Sequence, residues 1–248
     1  MTIPYLAPPA MADTGGPRLR PVARLRVDYA RGLDAITGHV ATLTRPSAAT
    51  MLDSAGNTVT VAHSRPRREA RTVLGAAAVG LRVSTEDVTY PCTLVPETAT
   101  IAVAGVNLGT AQTNNAGLLY IGRDDGTGAR LVLRGTGSTF AVEWINAANE
   151  SSPATLGAAV ASGAAFELLV QLEDTGGTQR VRIGGTVNGA PVAFSSWGTA
   201  RARAAAFGAG ARVRVNRLGS AGAQGNAWLA GFSWTAGALT LADVLGVV

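Results

Sequence analysis

Lysine is absent from this 248-residue chain, and cysteine occurs once, at Cys92. A single cysteine excludes an intrachain disulfide, so we expect a buried thiol in a fold that depends on its hydrophobic core. No apolar stretch reaches the roughly 18 residues of a membrane-spanning helix, and residues 1–21 lack the basic and apolar regions of a secretory signal. We therefore expect a chain made in the cytoplasm that neither spans a membrane nor is secreted by that route.

Aromatic residues make up only 5% of the chain and charged residues 15%. All 21 basic residues are arginine, scattered except for one run around Arg67, and the net charge is +5. Nucleic-acid binding is usually marked by a basic stripe interleaved with stacking aromatics, so we expect no nucleic-acid partner. The 47% hydrophobic content is enough for a sizeable core, which indicates a folded chain.

Residues suited to catalysis are scarce. The two histidines lie in or beside predicted strands without a metal-binding spacing such as HExxH, which favours a structural role. Glycoside hydrolysis needs two carboxylates that meet across a sugar. The candidates, Asp124 and Asp125 with Glu143 or Glu150, do not alternate on one strand face, so we expect the chain not to be an enzyme.

Glycine, threonine, valine and alanine are abundant instead, with 31 glycines in the chain. From residue 98 onwards, β-rich runs recur about every 10–15 residues and are separated by glycine-rich turns, for example at residues 125–128 and 175–177. Many short strands punctuated in this way predict an all-β fold, with an antiparallel sandwich or jelly roll over residues 98–248.

The part of the chain before residue 98 divides into two predicted segments. Residues 1–21 contain five prolines and predict an extended arm, which either stays disordered alone or orders against a neighbouring subunit on assembly. In residues 22–97, apolar and polar residues alternate over short stretches, which predicts a small β module. Within it, two β-rich runs flank the polar loop 53–57, which predicts a hairpin over residues 48–62.

A short motif in this module resembles one found in phage virion proteins. Residues 45–59, RPSAATMLDSAGNTV, are followed by Arg65-Pro66-Arg67. They are similar to head spike or fibre segments in which an Ala-Thr-aromatic-x-Asp-x-x-Gly hairpin precedes a Pro-Arg or Arg-aromatic pair. The sequence departs from that pattern at Met51, where an aromatic is usual, and at Pro66-Arg67, after which no aromatic follows. The resemblance implies docking to a particle through Arg45, Asp53, Gly56, Arg65 and Arg67.

The order of elements after residue 97 resembles a concanavalin A-like or laminin G-like jelly roll. A strand at residues 166–172, FELLVQL, precedes a hairpin at 179–189, and the sequence LAGFSW at 229–234 comes before a leucine-rich segment at 239–245. The resemblance implies that this last segment is a short helix, with Thr240 as its N-cap.

Oxygen ligands for a metal ion are present in the loops of the predicted jelly roll. Lectin-like sandwiches often bind calcium in their loops, so Asp124 and Asp125 are candidate ligands, with turn formation at Asp-Asp-Gly as the alternative. Further oxygen donors lie at Asn146, Asn149 and Glu150. We expect no cofactor other than this candidate calcium ion.

Tryptophan side chains are candidate sugar contacts, because aromatic rings are the usual platform for carbohydrates. Trp144 and Trp234 lie in apolar strand runs, which favours the core for both. Trp197 lies in a polar loop, Phe194-Ser-Ser-Trp-Gly, and is therefore the candidate ligand-binding residue.

Together these features favour a structural protein on the virion surface of a tailed phage or phage-like particle, made in the host cytoplasm. Such a head spike, capsid decoration or fibre component would dock to capsid or tail proteins, display the sandwich, and form a homo-oligomer such as a trimer. One alternative is a tail receptor-binding protein that recognises host surface glycans. The other is a polysaccharide-cleaving enzyme, which the scarcity of catalytic residues disfavours.

Overall fold

A computed structural model describes most of the chain from residue 50 onwards. The described residues are 50–52, 58–62, 67–73, 76–83, 87–92, 94–109, 112–215, 225–238 and 240. The predicted arm lies outside them, as does the helix predicted over 239–245 except for Thr240.

The described residues form sixteen strands and no helix. None of this part of the chain could therefore cross a membrane as a long apolar helix. The strands are β1 (Thr50–Leu52), β2 (Thr58–Ala62), β3 (Arg67–Val73), β4 (Ala76–Val83), β5 (Asp87–Pro91), β6 (Ala99–Asn107), β7 (Gln112–Gly122), β8 (Arg130–Gly137), β9 (Phe140–Ile145), β10 (Ser151–Thr155), β11 (Ala165–Asp174), β12 (Thr178–Val187), β13 (Ala190–Val192), β14 (Arg201–Ala202), β15 (Arg212–Val215) and β16 (Ala227–Ala236).

The strands pair into two eight-stranded antiparallel sheets. Sheet A has the order β1-β2-β5-β15-β7-β8-β9-β10, and sheet B the order β13-β12-β11-β6-β16-β4-β3, with β14 also pairing with β12. The chain passes repeatedly from one sheet to the other, as in jelly rolls. The predicted all-β class and antiparallel sandwich are confirmed.

A single large core lies between the sheets. It takes alternate residues of β6, β11 and β12 from sheet B and of β7, β8 and β9 from sheet A. The rings of Phe140 and Phe166 meet across the sheets with their centroids 5.0 Å apart. Trp144 is fully buried, as predicted, and Trp234 is partly buried against the same core. Each fully buried large side chain contributes about 1.5–3 kcal/mol, so these contacts explain how the chain folds without disulfides.

The sheets continue across the boundary that the sequence pattern suggests at residue 97. In sheet A, β5 lies between β2 and β15, and in sheet B, β4 pairs with β16. β1 and β2 pair antiparallel within the predicted hairpin range, with Thr50 opposite Thr60 and Leu52 opposite Thr58. Strands from both sides of residue 97 therefore share the same two sheets.

Candidate functional site

Two arginines on β12 face outward from sheet B. Val181 and Ile183 on the same strand are fully buried in the core. Because successive side chains of a strand point to opposite faces, Arg180 and Arg182 lie on the outer face.

The segment after β13 runs beside β12 and places two aromatic rings next to these arginines. The backbone nitrogens of Ser195 and Gly198 donate to the carbonyl oxygens of Ile183 and Val181, each over 2.8 Å. A Cβ at Gly198 would lie 2.5 Å from the Ser152 Oγ, so only glycine allows this close approach to sheet A. The loop is thereby fixed along the edge of sheet B.

The resulting arginine–aromatic cluster consists of Arg180, Arg182, Phe194 and Trp197. The guanidinium carbon of Arg182 lies 4.3 Å from the centroid of the Trp197 ring and 4.6 Å from that of Phe194. The guanidinium carbon of Arg180 lies 4.9 Å from the Trp197 centroid. Trp197, the predicted ligand contact, is partly exposed and holds two cations against its ring.

The cluster carries more positive than negative charge. Arg180 forms an ion pair with Glu173 on β11. Arg182 instead donates from its Nε to the side-chain oxygen of Gln171, a neutral group, over 2.6 Å. Partial burial lowers the pKa of Arg182, although a guanidinium remains charged at neutral pH.

A shallow depression of about 400 Å³, which we name the end pocket, opens at the tip of the β11–β12 hairpin. The buried carboxylate of Asp174 accepts a hydrogen bond from the Nε of Arg203 over 2.6 Å. Only 7% of the Asp174 side chain is exposed, whereas Glu97 on the opposite wall is exposed. The lining residues are Glu97, Thr98, Asp174, Gly176, Arg203 and Gly237.

Gln179 holds the walls of the end pocket together. Its side chain is fully buried, donates to the carbonyl oxygens of Pro96 and Ala204, and accepts from the backbone nitrogen of Ala204 over 2.8 Å. Because Gln179 directly precedes Arg180, the end pocket and the arginine–aromatic cluster lie on neighbouring parts of one hairpin. Sequence reasoning missed this pocket, since four distant segments line it.

Asp124 and Asp125 both form ion pairs with arginines. Asp124 accepts two hydrogen bonds from Arg214, over 2.8 and 2.7 Å. Asp125 accepts from Arg123 and from the backbone nitrogen of Thr127, which hold its pKa well below the usual range. Among the described residues, no three acidic, histidine or cysteine side chains converge as a metal site. Guanidinium groups thus contact carboxylate oxygens that a calcium ion would need. Calcium binding at Asp124 and Asp125 stays a prediction.

The other oxygen donors considered for metal binding or catalysis are also engaged. Glu143 forms an ion pair with Arg134, and Glu150 accepts a hydrogen bond from the side chain of Asn146 over 2.8 Å. Asn149 accepts a hydrogen bond from Arg130. Each of these groups therefore has at least one partner within the described part of the chain.

The residues predicted to dock to a particle lie almost entirely outside the described part of the chain. Arg67 is the first residue of β3 and lies opposite Arg82 of β4. The other four, Arg45, Asp53, Gly56 and Arg65, are not among the described residues. Their docking role stays a prediction.

No protein-family model matches the chain, and no curated protein matches it. Solved structures do resemble its fold. Domain 4 of AbnA, a GH43 extracellular arabinanase from Geobacillus stearothermophilus, in complex with arabinotriose, is 13% identical with a TM-score of 0.56. Two botulinum neurotoxin structures are 11% identical with TM-scores of 0.50. One is the binding domain of type DC in complex with SialylT, and the other is of type C, whose cell entry depends on interaction with two ganglioside molecules.

The extent of these likenesses differs. The alignment covers 79% of this chain and 91% of the arabinanase domain. It covers 78% of this chain but only 46% and 47% of the two toxin chains, so this chain spans less than half of their length. At such low identity the likeness shows a shared β-sandwich fold.

Proposed function

We propose that this chain is a non-catalytic carbohydrate-binding β-sandwich protein, with the end pocket and the adjoining arginine–aromatic cluster as its binding surface. The end pocket carries this proposal. It is open, and it is lined by the Glu97 carboxylate and the Thr98 hydroxyl from one segment and by the Arg203 guanidinium from another. Such convergent donors and acceptors suit the hydroxyl groups of a sugar.

The rigidity of the end pocket adds support. The buried Asp174 carboxylate accepts from the backbone nitrogen of Gly176 over 2.8 Å as well as from Arg203, which fixes the turn at the rim. The fully buried Gln179 links the two opposite walls. A preformed site loses little conformational freedom on binding, which favours affinity for a small polar ligand.

The solved structures of similar fold support the proposal. One is a domain solved with a bound arabinotriose, another a toxin domain solved with SialylT, and a third a toxin whose cell entry depends on gangliosides. A sandwich of this type is thus compatible with glycan recognition.

The pairing of four carboxylates supports the non-catalytic part of the proposal. Asp124, Asp125, Glu143 and Asp174 are each paired with an arginine. A glycosidase needs one carboxyl group kept protonated and a second one free across the sugar. Incubation with polysaccharides should therefore release no reducing ends, and release that one carboxylate substitution abolishes would contradict this part of the proposal.

We also propose that the protein is displayed on a phage-like particle, where it recognises host surface glycans. The support is the resemblance of residues 45–67 to spike and fibre segments. Repetition in a homo-oligomer on a particle would raise the avidity of a weak shallow site. Labelled antibody imaging of intact particles tests this placement, and absence of label from purified particles would contradict it.

A glycan array with the full-length chain tests the binding function. Glu97→Gln removes a charge from the wall of the end pocket while keeping its shape, and we expect about a tenfold loss of affinity for the best glycan. Val95→Ala is the matched control, because Val95 is 48% exposed nearby and does not line the end pocket. No binding by the unmodified chain, or equal binding by Glu97→Gln, would contradict the proposal.

A further inference from the structure

We infer that Arg182 binds an oxyanion of the glycan, a carboxylate or sulfate group, and that Trp197 positions this arginine. This inference rests on the proposed carbohydrate-binding function and names the ligand class of its binding surface: an acidic oligosaccharide. It also changes the role predicted for Trp197, from a ring on which a sugar stacks to a ring that holds a cation.

The hydrogen bonds of Arg182 leave its outer edge available. Its Nε donates to Gln171, whose side chain is only 1% exposed. The two terminal nitrogens, Nη1 and Nη2, have no hydrogen-bond partner within the described part of the chain. A guanidinium held at its Nε presents the remaining N–H groups as a planar fork, the geometry that matches carboxylate and sulfate oxygens.

The surroundings of Arg182 restrict its motion before any ligand arrives. Its guanidinium lies over both the Trp197 and the Phe194 rings, at 4.3 and 4.6 Å. Phe194 itself sits so close to β12 that a Cβ at Gly184 would lie 3.0 Å from it. An arginine usually loses considerable rotamer freedom on binding, and here the stacking restrains the side chain before binding.

The charge balance leaves Arg182 without a carboxylate of its own. Glu173 interacts electrostatically with Arg182, but its carboxylate is bonded to Arg180. Glu167, further along β11, is buried and accepts from Thr186 over 3.3 Å. Two guanidinium groups thus face one surface carboxylate. An unpaired charge that is partly buried is unfavourable, so an incoming anion restores the missing pair.

A purely structural role for the cluster predicts a different outcome. If Arg182 only covered the sheet, its substitution would lower stability and leave ligand preference unchanged. The test therefore compares ligands that differ in charge alone, because a stability effect cannot separate an acidic glycan from its neutral counterpart.

The experiment uses the full chain on an array of paired oligosaccharides: sialylated and asialo, sulfated and unsulfated, uronic acid and carboxyl-reduced. Titration calorimetry on the best pair follows, with single-stranded DNA as a further probe. We expect at least tenfold tighter binding of the acidic member. Arg182→Gln should abolish that preference while retaining binding of the neutral member.

Two further variants complete the test. Trp197→Phe keeps a ring beneath the arginine and should keep the preference, whereas Trp197→Leu should reduce it. Arg212→Gln is the charge-matched control, since Arg212 is 45% exposed on β15 and makes only a 3.7 Å contact with Asp124. It should leave the preference intact.

The remaining outcomes of these experiments would each contradict a different part of the proposal. Equal binding of acidic and neutral members, or a preference that Arg182→Gln retains, would overturn the inference while the carbohydrate-binding function stands. Equal loss of preference in Arg212→Gln would overturn it in favour of nonspecific charge attraction, and tighter binding of DNA than of any glycan in favour of nucleic acid. Absence of binding to every glycan would overturn the proposed function itself, together with this inference.

Discussion

The indole nitrogen of Trp228 on β16 donates a hydrogen bond to the backbone carbonyl oxygen of Glu69 on β3, over 2.9 Å. The two residues are 159 positions apart, and the strand between them, β4, pairs with both β3 and β16. Trp228 is fully buried on the outer face of sheet B, where it packs with Val73 and Leu169. One side chain thus connects an early strand to the last strand of the described residues.

Trp228→Phe should destabilise the protein by about 1–3 kcal/mol, because it removes this hydrogen bond and leaves a cavity where the larger indole ring was. Chemical denaturation monitored by far-ultraviolet circular dichroism measures this loss. The control is Trp197→Phe, at a partly exposed ring, which should cost less than about 1 kcal/mol. Equal stability of Trp228→Phe and the unmodified chain would contradict the burial of this bond.

A fragment comprising residues 98–248 should be much less stable than the full chain. Removing the earlier strands exposes the edge of β15 that pairs with β5 and the edge of β16 that pairs with β4. We expect the loss of a large part of the about 5–15 kcal/mol that stabilises a typical domain. Urea titration and limited proteolysis of the two proteins test this expectation. An unchanged unfolding midpoint would show that residues 98–248 fold as an independent unit.

Gly185→Ala should destabilise the protein by about 2 kcal/mol or more. The residue has φ of +142°, and an added Cβ would lie 1.9 Å from the backbone oxygen of Glu167 on β11. Gly177→Ala is the matched control, because it lies in the turn between β11 and β12 and a Cβ there meets nothing within 4 Å. Thermal unfolding of both variants distinguishes them, and a similar shift in both would be inconsistent with the close strand contact at Gly185.

The thiol of Cys92 should react slowly with alkylating reagents at pH 8. Burial raises its pKa, with a smaller opposing contribution from a hydrogen bond to the backbone at Leu94. Since only the thiolate is nucleophilic, the rate should rise as the pH is raised further and should increase when the chain is unfolded in guanidinium. Mass spectrometry of iodoacetamide-treated samples gives the rates. A rate equal to that of a free peptide thiol at pH 8 would contradict the burial.

The fold class could be predicted from local sequence patterns. Alternation in β12, with Val181 and Ile183 inside and Arg180 outside, is a property of neighbouring residues and is visible in the sequence. Trp197 was singled out for the same reason, since its polar loop is local. What surrounds that ring was not visible, because Arg182 reaches it only through the pairing of the loop with the edge of β12.

The calcium hypothesis at Asp124 and Asp125 illustrates what a local sequence pattern leaves out. Adjacent carboxylates in a loop suit calcium on composition alone. Asp125 is paired with Arg123, only two positions away. The partner of Asp124, Arg214, is 90 positions away and lies beside it because β15 pairs with β7. A charge that enters from a distant strand decides whether an acidic loop attracts a cation or forms an ion pair.

Turn residues, alternation and the composition of short runs are short-range properties, so the sequence by itself determined that this chain is an antiparallel β protein. Which strands became neighbours depends on contacts between segments far apart in the chain, and only the tertiary structure decided them. Those contacts joined the strands before residue 97 to the later sheets, assembled the end pocket around Gln179, and placed Trp197 against two arginines. The physical reason is that strand pairing and charge pairing act through space. The order of residues along the chain does not show which distant segments lie close together in the fold.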